Sequence, residues 1–227
     1  MSDLFLFGVF PYLAVALAVG GVAYRRRALP STVTTRSSQL LEGRLLFWGS
    51  VPWHHAILVV LLAHAAAALF PRPWGRLLGS PARLYVLEIV GLALGALAVL
   101  GIVILLARRA SLARTSAAMD WMVLALLAVQ AATGLYVAYA LRWGSVWYLH
   151  TAVPWLWSLA RLSPEIDRMA MLPAVVKVHA LDAFLLIAIL PLSRLVHVTS
   201  IPLSYLWRAP QLVVWRRAPA PDREVSP

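Results

Sequence analysis

The chain contains no cysteine. Disulfides, thiolate iron–sulfur ligation and cysteine nucleophiles are therefore excluded, and histidine is left as the natural soft ligand. Charge is also scarce. Only 13% of residues are charged, against about a quarter in ordinary soluble domains. The acidic share is smaller still, with nine Asp and Glu against twenty Lys and Arg, and Lys177 is the single lysine. No repeat of 20–50 residues is visible, which argues against transporters built from internal repeats. No basic residue precedes the first apolar run, and Arg25, Arg26 and Arg27 follow it directly. That order is unlike a secretory signal, so the segment is expected to stay in the mature protein.

What the chain has in abundance is hydrocarbon. Its 227 residues are 62% hydrophobic, with a mean hydropathy of +0.80. The bilayer is the expected solvent, and residues 1–227 read as one integral membrane domain. Five apolar stretches are long enough to cross about 30 Å as helix. They run roughly Leu4–Tyr24, Val51–Phe70, Leu84–Ala107, Trp121–Leu141 and Ala174–Val198, numbered helices 1 to 5 below. The predicted fold is all-α, a five-transmembrane-helix bundle. Between Arg142 and Pro173, Trp143, Trp147, Trp155 and Trp157 mark an aromatic interfacial loop with a short surface helix. The proline- and charge-rich tail 209–227 is expected to leave the membrane.

The net charge of +11 is compatible with nucleic-acid binding by its magnitude, but the arginines flank the apolar runs. Membrane orientation and anionic headgroups account for them better. One side collects Arg25, Arg26, Arg27, Arg36, Arg44, Arg108, Arg109, Arg114, Arg194, Arg208, Arg216, Arg217 and Arg223. The other has Arg72, Arg76, Arg83, Arg142, Arg161, Arg168 and Lys177. The positive-inside rule places the N-terminus outside and the C-terminus in the cytoplasm.

Five of the six histidines (His54, His55, His64, His179 and His197) lie inside apolar spans. Ionisable residues there are functional hypotheses by default, because leaving them unpartnered in hydrocarbon is costly. His54 and His64 share helix 2, roughly 15 Å apart along the axis; His179 and His197 share helix 5, roughly 27 Å apart and five full turns along one face. The two helices run in opposite directions. His54 therefore faces His197 at the cytoplasmic depth, and His64 faces His179 at the outer depth. Opposed imidazoles at matched depth make six-coordinate haem sites, with irons roughly 20 Å apart. Zinc would require three or four converging ligands. His55 competes with His54 as a ligand, but neighbours on a helix point about 100° apart. His150 falls in the aromatic loop, as a surface or quinone-site residue.

Secondary candidates surround these pairs. Arg194, one turn before His197, is placed for a haem propionate or for simple snorkelling. Asp182, three residues after His179, is placed to accept quinol protons, to hydrogen-bond a ligand, or to pair with Lys177 or Arg83. Gly91 and Gly95 form a G-x-x-x-G that admits either a flat macrocycle or a close helix contact.

Taken together, these residues resemble the gamma subunit, or membrane cytochrome b, of respiratory nitrate reductases, over nearly the whole chain. The likeness rests on Pro11-Tyr12, on Ser37-Ser38-Gln39-Leu40, and on the His54/His64 spacing. It rests also on Arg108-Arg109, on Gln130 with Gly134-Leu135, and on Pro191-Leu-Ser-Arg-Leu-Val-His197. Ser200-Ile-Pro202, Tyr205-Leu206 and Gln211-Leu212 complete it. The resemblance implies two haems b between helices 2 and 5. His54 with His197 would hold the inner one, and His64 with His179 the outer one. It implies oxidation of menaquinol or ubiquinol near the outer haem. Electrons would then pass to a cytoplasmic iron–sulfur (beta) subunit and a molybdenum catalytic (alpha) subunit that reduces nitrate. The family's quinol-site lysine between helices 2 and 3 is absent here. Arg83 is the nearest basic residue and Tyr85 falls in the slot, so Arg83 and Asp182 are the quinol-site candidates. Cytochromes of sulfite-reduction and heterodisulfide complexes share the fold. A non-redox anchor or transporter is the reading from another class.

Overall fold

The computed structural model describes residues 2–28, 43–111, 118–141 and 143–199. Outside them lie the Ser37–Leu40 block, Arg36, Arg114, Arg142, the motifs from Ser200 to Leu212 and the tail 209–227. The described residues are helical, with no strand among them. Five helices are long and apolar enough to cross a membrane: Ser2–Ala28, Arg44–Leu69, Pro81–Ser111, Ala118–Ala140 and Ala174–Leu192. They correspond one to one with the expected spans. Many of their outward side chains are apolar and exposed, among them Leu58, Leu61, Leu62, Val86 and Ile89, as a hydrocarbon solvent requires.

Two boundaries differ from the expectation. Helix 2 begins at Arg44 and carries Pro52 in its interior. The proline removes a backbone N–H, but helices in lipid tolerate this where neighbours repair the loss, and the apolar run Leu45–Trp48 extends the helix upstream. Helix 5 is the more consequential case. Its α-helix ends at Ile189, a 3-10 turn covers Leu190–Leu192, and Ser193 is extended at ψ 177°. A second 3-10 segment, Arg194–Thr199, follows. The five unbroken turns expected from His179 to His197 are thus interrupted. Pro191 is the physical reason, since it has no N–H to give and its ring crowds the preceding turn. Arg25 of helix 1 takes up the exposed carbonyls, donating to Pro191 O at 2.6 Å and Ser193 O at 3.2 Å. Arg26 reaches Thr199 O.

Helix 2 packs on helix 3, helix 3 on helix 4, helix 4 on helix 5, and helix 5 on helix 1. The crossing of helices 2 and 3 is set by Gly49 and Gly101. A Cβ on Gly101 would meet Gly49 O at 2.9 Å, and one on Gly49 would meet Leu105 at 2.9 Å. This pair, rather than Gly91 and Gly95, is where the backbones approach closely. Gly91 has nothing within 4 Å, and Gly95 faces Leu135 of helix 4. Trp53, Ala56, Ala98, Ile102 and Ala131 form the core beside the crossing.

The expected aromatic loop is largely helical over 144–160, as Gly144–Trp147, a π turn Tyr148–Ala152 and Val153–Ala160. The N-terminus of this run is held by Glu88 of helix 3, whose carboxylate accepts from Ser145 N (2.9 Å) and Ser145 Oγ (2.6 Å). Anions are favoured at that end of a helix. Its far end packs into a second core made by Phe7, Trp155, Leu159 and Met169. Trp155 Nε1 donates to Phe7 O, and Trp157 Nε1 donates to Ala68 O.

Candidate functional site

Helix 2 positions three histidines by the same local device. Each ring Nδ1 lies on the carbonyl one turn earlier: His54 on Ser50 O (2.7 Å), His55 on Val51 O (2.8 Å) and His64 on Val60 O (2.8 Å). A carbonyl can only accept, so Nδ1 carries the proton and Nε2 carries the lone pair. This is the tautomer an axial metal ligand needs, with a backbone bond fixing the ring. The device does not separate His54 from His55, but the helical wheel does. At 100° per residue, His54 and His64 lie about 80° apart, whereas His55 and His64 lie about 180° apart.

His64 has an aromatic wall. The Tyr148 ring stands edge-on to the imidazole with centroids 4.8 Å apart, and its hydroxyl donates to His64 O at 3.3 Å. Burial pushes the Tyr148 hydroxyl up to about 12, so it remains a donor at physiological pH.

His179 near the start of helix 5 is fixed by helix 4. The Thr133 hydroxyl gives its proton to Val129 O at 2.7 Å, one turn back. Its oxygen then accepts from His179 Nδ1 at 3.0 Å. Nε2 consequently holds the lone pair, which faces the Gln130 amide nitrogen at 3.2 Å. Gly134 makes room for the ring, since a Cβ there would sit 2.9 Å from His179 Cε1. Helix 2 thus carries His64 and helix 5 carries His179, each imidazole held in one tautomer by its own neighbours. The inner pair is described on one side only. His54 is placed, whereas His197 has its backbone in Arg194–Thr199 and its side chain outside the described set.

The other candidates fall into different places. Arg194 Nε lies 3.3 Å from Asp120 Oδ1, and Arg109 meets the same carboxylate at 3.2 Å, so one acidic group ties helices 3, 4 and 5 at one end of the bundle. Arg83 donates to Leu77 O (2.9 Å) and Arg76 O (3.1 Å), closing the end of the short helix Pro71–Leu78. Tyr85 stands against Trp143, with ring centroids 5.0 Å apart. Asp182 is buried among helices 1, 4 and 5. Arg83 and Asp182 share no hydrogen bond or ion pair, and Asp182 pairs with neither Arg83 nor Lys177. His150 is exposed on the π turn. Thr133 and Tyr148 are the site residues that sequence reasoning missed. A threonine one residue before Gly134 in an apolar helix, and a tyrosine inside the tryptophan-rich loop, were the available signals.

This donor set fits haem b. His54, His55, His64 and His179 carry the lone pair on Nε2, and helices 2 and 5 are not packed closely on one another, since the close pairs are 2 with 3, 3 with 4, 4 with 5 and 5 with 1. Among the described residues no three His, Asp or Glu side chains converge as a metal cluster would.

Residues 3–216 match the family described as nitrate reductase gamma subunit. The chain belongs to that family. It is 31% identical over 223 residues to the nitrate reductase gamma chain of Bacillus subtilis, covering 96% of this chain and 99% of that one. It is 28% identical to the respiratory nitrate reductase 1 gamma chain of Escherichia coli, covering 93% and 96%. The nitrate reductase-like protein NarX of Mycobacterium tuberculosis is 33% identical over 92% of this chain, which corresponds to 33% of that longer protein. This member of the gamma subunit family has five helices long and apolar enough to cross a membrane, and His54, His55, His64 and His179 lie on two of them.

Proposed function

We propose that this chain is the di-haem cytochrome b subunit of a respiratory nitrate reductase. In this reading it spans the cytoplasmic membrane with its N-terminus outside and its C-terminus inside. It oxidises menaquinol or ubiquinol on the outer side and serves an iron–sulfur (beta) subunit and a molybdenum catalytic (alpha) subunit on the cytoplasmic face. The supporting observation is that His64 and His179, on helices 2 and 5 of a chain whose family is the nitrate reductase gamma subunit, are each held with the lone pair on Nε2. Two haem b groups, bound by His54 with His197 and by His64 with His179, would supply a one-electron path across the bilayer.

The chain's own residues have defined tasks. Ser50, Val51 and Val60 carbonyls hold the helix 2 imidazoles in one tautomer, and Thr133 does the same for His179. Haem iron held by His179 would use the Nε2 lone pair that the Gln130 amide engages. Arg194, already poised at Asp120, is near enough to His197 in sequence to meet a propionate. Nitrate is favoured over sulfite or heterodisulfide as terminal acceptor because the relatives named above are nitrate reductase chains. A pyridine haemochrome assay on the fully loaded chain tests the reading. Two haems b per chain are expected, and one or none overturns it.

A further inference from the structure

The run 144–160 touches three of the spanning helices, each through a side chain. Glu88 of helix 3 holds its start through Ser145 N and Oγ. Tyr148 and Trp157 reach helix 2, where their polar tips donate to His64 O at 3.3 Å and to Ala68 O at 2.9 Å. Those carbonyls stand one turn apart, and the second is in the last turn of helix 2, where helical donors run out. Trp155 is 2% exposed and reaches helix 1, donating to Phe7 O at 3.1 Å.

Between Tyr148 and Trp155 lies the π turn Tyr148–Ala152. Such turns are rare and frequently mark functional sites. Here the consequence is angular. Seven residues of unbroken α-helix would leave Tyr148 and Trp155 about 20° apart, on one face. A π turn absorbs an extra residue, so the same seven steps turn like about six, and the two side chains diverge by about 120°. Trp155 can then enter the core beside helix 1 while Tyr148 meets His64, ring centroids 4.8 Å apart and planes at 68°. The Nδ1 bond to Val60 O fixes one edge of the imidazole. The Tyr148 ring supplies a second restraint, on its tilt.

We propose that the run 144–160 is a strap whose π turn aims Tyr148 at His64, and that Tyr148 is the positioning residue that fixes the imidazole plane of the outer haem ligand. The proposal rests on the di-haem reading above and assigns a residue to it. Ligand orientation by outer neighbours is one of the protein's levers on a metal centre. In a haem with two imidazole ligands, the ring planes govern the anisotropy of the low-spin ferric signal.

The test is electron paramagnetic resonance during a redox titration of the haem-loaded full chain in phosphatidylcholine nanodiscs. His64→Ala identifies the outer signal by removing it. Tyr148→Leu should move the largest g value of the outer signal and leave the inner signal in place. Tyr148→Phe keeps the ring and should keep that g value. Deletion of Thr151, which returns the π turn to α phase, should move it as Tyr148→Leu does although the tyrosine is retained. Loss of the outer haem alone in Tyr148→Leu, with Tyr148→Phe retaining it, is the same result in stronger form. An outer signal unmoved in both Tyr148→Leu and the Thr151 deletion overturns the proposal, as does equal movement of both signals, which would mark general loosening of the bundle. Haem content separates the two readings. A wild-type chain that holds no haem refutes the di-haem reading itself, whereas two haems whose signals ignore Tyr148 refute only the strap.

Discussion

The Thr133 hydroxyl accepts from His179 Nδ1 at 3.0 Å while giving its own proton to Val129 O at 2.7 Å. One side chain therefore decides which nitrogen of His179 carries a lone pair, and helix 4 controls an imidazole borne by helix 5. Thr133→Val keeps the shape and removes the acceptor. Loss of such an outer partner typically costs 10–100-fold in metal affinity. The expected outcome is a weakened or shifted outer-haem signal in a redox titration, with the inner signal unchanged and Thr133→Ser restoring the original behaviour.

His54 and His55 make the same bond to the carbonyl one turn back, so only direction distinguishes them. His54 lies about 80° from His64 around the helix and His55 about 180°. His55→Ala is expected to retain two haem signals, and His54→Ala to lose the inner one. Optical spectra at low temperature would read both, and the reverse pattern would exchange the assignments.

His64→Ala should stop nitrate reduction driven by quinol analogues while leaving reduction driven by a soluble artificial donor intact. The outer pair loses a ligand, whereas His54 and His197, roughly 20 Å away by the helical rise, are untouched. Assays of the whole complex with each donor make the comparison. Normal activity with both donors, in a variant shown to lack the outer haem, would refute the electron path.

Tyr148 gives a prediction about pH. Its hydroxyl titrates near 12 because burial disfavours the phenolate, whereas an unfolded tyrosine titrates near 10. The folded pKa is the higher one. The associated stability is therefore fully present below about pH 10 and is lost as pH rises through about 12. Ultraviolet difference titration of wild type against Tyr148→Phe should show one phenol ionising in that upper range. A midpoint near the ordinary tyrosine value would refute the half-buried placement against His64.

Much of this protein was legible in the sequence because lipid allows few solutions. A backbone crossing hydrocarbon must satisfy its own hydrogen bonds, so five long apolar runs translate directly into five helices. Histidines inside them mark chemistry, because an unpartnered imidazole there is costly. The opposed directions of helices 2 and 5 follow from counting spans, and from them the sequence reading expects His64 opposite His179.

What the tertiary structure decided depends on contacts between segments distant in sequence. The interruption of helix 5 at Pro191 and Ser193, with Arg25 taking the carbonyls, involves residues more than 160 positions apart. The close crossing at Gly49 and Gly101, rather than at the G-x-x-x-G of Gly91 and Gly95, depends on which face of helix 3 meets helix 2. The same holds for Thr133 on His179, for Tyr148 on His64, and for the burial of Asp182 behind helix 1. Residue spacing sets the direction of a side chain from its own helix, but only the packing of neighbouring helices determines what it meets.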